Sequence, residues 1–566
     1  MNVVAAVKLY ITKMTEESGP GMKALLMDKE TTSIVSMVYG QSEILQKEVY
    51  LFERIDSSRH EVMKYLKCIA FLRPTKENIA LLSMELKYPK YGSYYVYFSN
   101  IIAKADVKTL AESDEMEVVR DIQEFYGDYI AVSPHLFSLN ILGCAQGQMW
   151  NLAHLQRTAQ GISSVLLSLK KCPLIRYQSS SEMTRRLAEK IKDMIVKEDK
   201  LFDFRQSDGS ATVLLIVDRR EDPITPLLHQ WTYQAMVHEL LTINNNRVNL
   251  SNVPGISKEL QEVVLSAEQD DFYRDNQYQN YGEIGQTIKD LMNRFQAKAQ
   301  HHQNLESIAD LKNFVENYPQ FKKLTGTIAK HVTVVGELSS LVGRYSLLEV
   351  SELEQDLSCQ YDHSGHLQRI RKIIPNERVR DKDAARLVML YALKYNKHNN
   401  EDIRGLTVLL KKKGVPDNLY KAVALVVNYA MQHQRPSDVS MTQDSVAKTT
   451  KSIKNIIKGL KGVDNVFTQH SPLLKETLED LIKGRLREDS YPHLGNVQLS
   501  KRPQDIIVFV VGGVTYEESL AVHQLNSSLC GVNIVLGGTT IHNFDSFMEE
   551  VKIAMHGTNW RYGREL

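Results

Sequence analysis

The sequence predicts an α/β protein that carries a large helical insertion. Three observations lead to this prediction. Residues 22–140 alternate between short apolar runs and stretches of helical period, as in a parallel, doubly wound sheet. Residues 230–475 are dominated by helical periodicity, and strand-like runs return only after residue 500. The fold class is therefore α/β plus α.

The first 140 residues contain five strand-like runs, with a proline after the last of them. Helix-period stretches lie between the runs and predict right-handed crossovers. Thr31–Val38 is ambiguous, because it has β-branched residues at spacings that also suit a helix. We place the end of the first domain near Pro134. The predicted strands are Met22–Met27, Val49–Phe52, Cys68–Leu72, Tyr94–Phe98 and Tyr129–Val132; the predicted helices are Ser42–Gln46, His60–Leu66, Lys76–Leu86 and Glu115–Phe125.

Further along, helices are predicted over Trp150–Lys171 and Ser179–Lys200, and a buried strand over Val213–Val217. Two late runs, Asp505–Val511 and Val532–Leu536, each lead into a Gly-Gly pair. The simplest interpretation is one α/β domain whose sheet recruits these late strands across the helical insertion.

Composition and charge narrow the functional classes. The chain has 566 residues and a formal net charge of +1, which gives no reason to expect general nucleic-acid or anionic-membrane binding. No apolar run reaches the length of a transmembrane helix, and Met1–Met14 lacks the features of a signal peptide. The five scattered cysteines form no C-x-x-C pair and favour reduced thiols in a cytosolic protein.

The segment VLLIVDRREDPITPLLHQWTYQAMVHELL, residues 213–241, is the most informative stretch. We expect a buried strand, a charged turn, and then a helix with Thr225 as N-cap and Pro226 at its first position. The acidic residues Asp218, Glu221 and Asp222 could also hold Mg²⁺ or serve phosphoryl chemistry. A structural turn, in which Asp218 accepts backbone N–H bonds, is the favoured interpretation because arginines lie among the acids.

Catalytic and cofactor motifs are missing. The Gly-Gly pairs could cradle a phosphate, but neither belongs to G-x-G-x-x-G, and no G-x-x-x-x-G-K-[ST] occurs; tight turns are favoured. No H-E-x-x-H, Cys/His metal spacing or G-x-S-x-G is found. We therefore expect no cofactor, no metal and no enzymatic activity. The alternative is a nucleotide- or phosphate-binding enzyme on a doubly wound sheet.

Residues 311–342 predict two helices separated by Pro319, each with an apolar stripe. One interpretation is an αα-hairpin that packs on its own domain. The other is a protruding hairpin that docks a partner helix.

Several of these strings resemble the SM (Sec/Munc) family, whose members bind SNAREs and promote membrane fusion. The resemblance spans nearly the whole chain and ends before the tail that follows Val551. It is carried by the strings KALLMD (23–28), FYGDYIAVSPHLFSLNI (125–141), DRREDPITPLLHQWTYQAMVHELL (218–241), YPQFKKL (318–324) and IIVFVVGGVTYEE (506–518).

The resemblance implies an arch of three domains. These are residues 1–134, residues 135–245 with 476–566, and the mainly helical 246–475. It also implies three partner surfaces. A pocket on the first domain would take the N-terminal peptide of a syntaxin, a central cavity would hold SNARE helices, and the hairpin would template SNARE assembly. The implied residues are Val107, Leu110, Ile122, Ala131 and Val132 for the pocket, Asp28 and Glu53 for the cavity, and Pro319, Leu324 and Val332 for the hairpin.

The implied function is that of a SNARE-binding chaperone of vesicle docking and fusion in endosomal and trans-Golgi traffic. Its partners would be a syntaxin-type SNARE, of the syntaxin-sixteen kind, the assembled SNARE complex and a vesicle SNARE. The protein would be a cytoplasmic monomer, without nucleic-acid partners, held on Golgi and endosomal membranes through its partners.

Overall fold

The computed structural model describes residues 1–57, 61–204, 211–303, 308–396, 400–431, 466–495 and 502–556. Within these ranges, side chains are described for all residues except 295–303, 308–322, 400, 431 and 556. No helix in these described ranges is long and apolar enough to cross a membrane.

A five-stranded, all-parallel sheet forms the N-terminal part, in the order β2-β1-β3-β4-β5. Alternate residues of its strands bury opposite faces. Leu25 and Phe71 pack with α1 and α2, whereas Leu26 and Leu72 pack on the side of α4 and α5. Its elements are α1 Val3–Glu17, β1 Lys23–Met27, α2 Lys29–Val38, α3 Gln41–Leu45, β2 Val49–Arg54, β3 Met63–Leu72, α4 Lys76–Lys87, β4 Tyr91–Phe98, α5 Lys104–Ser113 and β5 Val119–Glu124.

A six-stranded sheet follows, in the order β10-β11-β14-β15-β7-β6, parallel except for the β6–β7 pair. The late strands extend this sheet from β11, as expected: Val213 of β11 is the partner of Ile506, and Ile506 is in turn the partner of Ile534. The first elements here are β6 Ile130–Ser133, β7 Leu136–Ser138, β8 Ala145–Gln146, β9 Met149–Trp150, α6 Leu152–Ser168, β10 Leu174–Tyr177, α7 Glu182–Lys197 and β11 Thr212–Asp218.

The helical part lies between β11 and the late strands. Its buried residues, among them Val350, Leu387 and Tyr429, join one continuous apolar core with both sheets. Its elements are α8 Tyr233–Leu241, β12 Arg247–Asn249, β13 Glu262–Val264, α9 Asp271–Asn276, α10 Tyr281–Gln303, α11 Ile308–Arg344, α12 Leu347–Cys359, α13 His363–Ile373, α14 Asp381–Tyr395, α15 Asn400–Lys413, α16 Asp417–Tyr420 and α17 Ala422–Met431. The last elements of the described residues are α18 Leu473–Ile482, β14 Asp505–Val511, α19 Tyr516–Ser528, β15 Asn533–Gly538 and α20 Phe544–His556.

Two predicted helices of the N-terminal part are wrong. Residues 63–66 of the predicted helix His60–Leu66 belong to β3, and most of Glu115–Phe125 is the edge strand β5. Both stretches pair with β4, so backbone hydrogen bonds to a neighbouring strand outweigh their helix-compatible spacing. Thr31–Val38, which was ambiguous, lies in α2.

The helix expected from Thr225 begins later. Thr225–Leu227 is a single 3₁₀ turn, and α8 starts at Tyr233 with Thr232 at its N-cap position. Thr225 does not cap the helix, because Asp222 takes its backbone N–H (3.0 Å) and its hydroxyl (2.6 Å).

The first Gly-Gly pair makes a turn, as expected: Gly512 and Gly513 have φ angles of +90° and +95° at the end of β14. The second pair does not make a turn, since Gly537 and Gly538 are the last residues of β15. Here glycine is required by close packing. A Cβ at Gly537 would lie 2.0 Å from Cζ of Phe137.

The predicted break at Pro319 is also wrong. Pro319 lies inside α11, a continuous helix of 37 residues. A proline in a helix interior removes one backbone hydrogen bond, and the many turns on either side keep the helix intact. Helix α11 packs against the preceding helix, α10.

Candidate functional site

The charged turn of residues 218–222 is a buried structural junction. Asp218 accepts a hydrogen bond from the backbone N–H of Arg220 (3.0 Å) and another from the hydroxyl of Ser181 (2.6 Å), as expected for a structural turn. Arg220 donates to the carbonyl oxygen of Gly147 (3.0 Å) and lies over the ring of Tyr429. The turn thus ties β11 to the neighbouring loops and to α17.

Arg219 connects this turn to the C-terminal part of the chain. Its Nη1 donates to both carboxylate oxygens of Glu518, at 2.8 Å each, and its Nη2 lies 3.4 Å from Asp222. All three side chains are buried. Burial opposes ionisation of Asp222, but Arg219 and His470 outweigh it and hold the pKa of that carboxyl below its usual range.

A second buried cluster joins residues 229–239, which follow this turn, to the helical part. Arg386 of α14 is fully buried and pairs with Glu239 of α8 and, at 3.7 Å, with Glu354 of α12. Glu354 also accepts the backbone N–H of His229 at 2.9 Å. Burial raises the pKa of Glu354 to about 7 and, together with Arg386, lowers the pKa of His229 to about 3.

The spaces beside these clusters are small. One cavity, of about 20 Å³, is lined by Thr225, Trp231, His470 and Glu517, and another, of about 10 Å³, lies beside His238 and His542. One water molecule would fill either of them. A nucleotide needs a pocket of several hundred Å³. Across the described residues, no group of three His, Cys, Asp or Glu side chains is placed to hold a metal ion.

Three residues of the expected peptide pocket lie on two elements that are consecutive in the sequence. Val107 and Leu110 belong to α5, and Ile122 to the edge strand β5. Val107 and Ile122 are half-buried and could contact a peptide. Leu110 is 1% exposed and packs in the core, so the expectation that it is open to a partner is wrong.

Ala131 and Val132 belong to a different surface. Both lie on β6, which is the antiparallel edge of the second sheet and packs against α1 and α2. Ala131 is 2% exposed, and Val132 packs against the cores on both sides of that sheet. Ala131 is therefore closed to a partner, and both residues lie on a different sheet from Ile122.

The expectation that Asp28 faces a cavity is wrong. Asp28 is buried and caps α2, where its Oδ1 accepts the backbone N–H of Thr31 at 2.7 Å. Its Oδ2 accepts the backbone N–H of Arg73 (2.6 Å) and the amide of Asn78 (2.7 Å). Glu53 lies half-buried on the edge strand β2 and stays a candidate.

The three hairpin candidates lie on α11. Leu324 is half-buried and Val332 is 39% exposed, while the side chain of Pro319 lies outside the described residues. The opposite face of α11 is fixed to the core by Val334, Leu338 and Val342. The buried His331 also fixes α11 in place. Its ring nitrogens lie 2.7 Å from the hydroxyl of Tyr233 and 2.9 Å from the carboxylate of Asp270.

Sequence patterns missed the partners of the buried junction, chiefly Glu354, Arg386 and Glu518. The available signal was a charged residue within an apolar helical stretch, as at Arg386 in AARLVMLYAL. That signal marks burial of a charge but does not identify its partner.

Comparison with known proteins places these features in a family. A model of the Sec1 family matches residues 23–550. The chain is 63% identical to the human vacuolar protein sorting-associated protein 45 over 552 residues, which is 97% of this chain and 96% of that protein. The protein of the same name from Dictyostelium discoideum is 45% identical over 556 residues, with 97% and 96% covered.

A solved structure of an SM protein, Vps45 in complex with the Qa SNARE Tlg2, superposes with a TM-score of 0.92. The two sequences are 44% identical, and the match covers all of both chains. The expected fold class, a three-domain arrangement of two α/β domains with a helical insertion, is confirmed by this match.

Proposed function

Because the chain belongs to the Sec1 family of SM proteins, we propose that it binds a syntaxin-type SNARE and regulates vesicle docking and fusion in endosomal and trans-Golgi traffic. The observation that carries the proposal is its likeness, over the full length of both chains, to an SM protein bound to a Qa SNARE. The 63% identity to a vacuolar protein sorting-associated protein supports the same route of traffic.

The protein acts by binding rather than by a chemical step. A SNARE bundle forms from segments that lose conformational freedom when they assemble, and a surface that holds one of them in place lowers that cost. The charged residues of the 218–222 turn take part in internal bonds, which supports a structural role for them. We place the protein in the cytoplasm as a monomer, on Golgi and endosomal membranes through its partner.

Helix α11 is the surface best suited to receive a SNARE helix. One face is anchored in the core, so the other face, with Val332, is held at the surface in a fixed orientation. A partner helix would lay its apolar face along this surface. Val107 and Ile122, between α5 and β5, form a separate candidate surface for an N-terminal peptide.

Binding to a panel of immobilised syntaxin cytoplasmic domains tests the function, and Val332→Asp tests the surface. We expect one syntaxin of the panel to bind well above the others. We expect Val332→Asp to weaken that binding about tenfold, because a charge would lose its hydration against an apolar partner. Val196→Asp, at a 67% exposed valine on α7, is the matched control. If no syntaxin binds the wild-type protein, the proposed function is wrong; if the two variants bind equally, only the α11 surface is wrong.

A further inference from the structure

The far end of the helical part carries a concentration of positive charge. It is built from three described segments: residues 371–378 at the end of α13, residues 401–413 of α15, and residues 417–421 around α16. We call these segments the basic face. They contain eight Lys and Arg against four Asp and Glu, although the whole chain has a net charge of only +1.

Contacts within the fold hold the three segments together. Lys413 donates to the backbone carbonyl of Asn376 at 2.7 Å, which joins the end of α15 to the end of α13. Arg371 reaches Asp402 of α15 at 3.5 Å. Beneath them, Leu406, Leu410 and Ile373 are buried in the core, so the backbone that carries the charges is fixed.

Most of the positive charge stays at the surface. Seven of the eight cationic side chains are exposed: Arg371, Lys372, Arg378, Arg404, Lys411, Lys412 and Lys421. Of the four carboxylates, Asp417 is committed to Lys421 (2.9 Å) and Asp402 to Arg371. The excess of four positive charges therefore faces solvent rather than being neutralised within the face.

Helix stability alone does not account for this arrangement. Lysines in the last turn of a helix favour its negative end, which explains Lys411 and Lys412 in part. Arg404 lies in the first half of α15, and Arg378 lies in the loop after α13. Neither gains from a helix C-terminus, and each lies two residues from a contact that joins the end of α13 to α15.

The apolar content of the face helps to identify its occupant. The three segments expose one large apolar side chain, Val408, which is 48% exposed and lies between Arg404 and Lys411 along α15. A partner helix would need an apolar stripe rather than one valine. The ring of Tyr420 lies beneath the ammonium groups of Lys411 (4.8 Å) and Lys421 (5.9 Å), as suits an aromatic side chain at a lipid headgroup layer.

We propose that the basic face binds the anionic phospholipid headgroups of a bilayer. Each Lys or Arg near an anionic bilayer contributes a several-fold gain in affinity, so a group of seven adds up to measurable binding. The membrane contact is direct, in addition to any contact that a membrane-anchored partner supplies. It uses no residue of α11, α5 or β5, so it is independent of syntaxin binding.

Vesicle flotation with the full chain tests the proposal. We expect the wild-type protein to float with phosphatidylcholine vesicles that contain phosphatidylserine, and not with phosphatidylcholine vesicles alone. Raising the salt concentration should release it, because the attraction is screened. The double variant Lys411→Glu, Lys412→Glu should reduce the bound fraction by about tenfold or more. The matched control Lys192→Glu, Lys197→Glu changes two exposed lysines of α7 and should float like the wild type.

Several outcomes would overturn the proposal. One is a wild-type protein that ignores the anionic vesicles, and another is equal loss of flotation in both double variants. A third is that the Lys411/Lys412 variant still floats but no longer binds poly-glutamate, which would make the face a docking site for an acidic protein. If the glutamate variant fails to fold, Lys411→Gln with Lys412→Gln gives the same comparison without charge reversal.

Discussion

Arg219 and Glu518 lie 299 positions apart in the sequence, yet one guanidinium nitrogen of Arg219 donates to both carboxylate oxygens of Glu518. The pair lies at the end of β11 and at the start of α19, two elements on opposite sides of the helical insertion. A buried ion pair is worth little compared with apolar residues, but a single buried charge left behind is costly. This bond therefore helps to make folding of the second sheet depend on its distant strands.

Removing one partner should destabilise the protein strongly. We expect Arg219→Met to lower the free energy of unfolding by about 3–5 kcal/mol, because Glu518 stays buried without its cation, and Glu518→Gln to lower it by less, because Arg219 keeps Asp222. The double variant should lose less than the sum of the two. Urea unfolding followed by circular dichroism measures each value.

The exposed pair Arg185 and Glu182 on α7 is the control, with a distance of 2.9 Å. Arg185→Met and Glu182→Gln should each destabilise the protein far less than the buried substitutions, because solvent screens an exposed ion pair. Equal losses for the buried and the exposed pair would contradict the role assigned to Arg219.

The strands β11, β14 and β15 of this sheet could be predicted from the sequence, but the ion pairs at their ends could not. Val213–Val217 and Ile506–Val510 are unbroken apolar runs, and such runs indicate strands buried on both faces wherever they occur. Arg219 and Glu518 carry no comparable signal. Their pairing depends on which strand ends meet in space, and local periodicity holds no information on this.

Glu517 should make stability depend on pH. Burial raises the pKa of the Glu517 carboxyl from 4.5 to about 7. The positive charge of Lys475 opposes this rise, and the negative charge of Glu518 contributes to it. The folded state thus binds more protons than the unfolded state between these values, so the stability that Glu517 contributes below pH 4.5 is lost as the pH rises through about 7.

Replacing Glu517 with Gln should remove this loss. We expect Glu517→Gln to be more stable than the wild type at pH 8 by about 1 kcal/mol, a value reduced for partial exposure of the side chain, and equal to it at pH 4.5. Urea unfolding at both pH values measures the difference. Glu349→Gln, at an exposed position of α12, should show no such gap; a similar gap there would mean that the effect does not come from Glu517.

Gly537 should tolerate no side chain. A Cβ at this position would lie 2.0–2.4 Å from three ring carbons of Phe137, and β15 cannot shift without disturbing two neighbouring strands. We expect Gly537→Ala to cost about 1–3 kcal/mol in thermal or urea unfolding. Adding Phe137→Leu should recover part of the lost stability.

Gly336→Ala in α11, where nothing lies within 4 Å of the new Cβ, should stabilise the protein by about 0.5–1 kcal/mol. Equal effects at the two glycines would contradict the packing argument.

For the candidate site residues, the sequence predicted the secondary structure better than it predicted which side chains are exposed. Asp28 begins the string D-K-E-T, in which an acidic N-cap is followed three residues later by Thr31, and this is a local sign of a helix start. Exposure of Val132 could not be judged in the same way. Tyr129–Val132 looks like one more strand of the first sheet, whereas β6 pairs with β7 in the second. A chain that passes from one sheet to the next leaves no mark in a four-residue run.

The structure predicts different effects for substitutions at Val132 and Val107, which the sequence alone does not distinguish. Val132 packs between two cores, so Val132→Arg should lower the melting temperature, with a cost of about 1–3 kcal/mol. Val107 is half-buried on α5 beside β5. Val107→Arg should leave the melting temperature within a degree or two of the wild type.

The two variants should also differ in binding. If the surface of Val107 and Ile122 receives a syntaxin N-terminal peptide, Val107→Arg should weaken the peptide at least tenfold, a loss of about 1.4 kcal/mol. The reason is that the new charge would lose hydration beneath an apolar peptide side chain. Fluorescence titration of a labelled peptide measures the affinity, with Val196→Arg on the exposed face of α7 as the control. A Val107→Arg protein that melts normally and binds the peptide like the control would remove this surface from the candidates and leave α11 as the partner site to test.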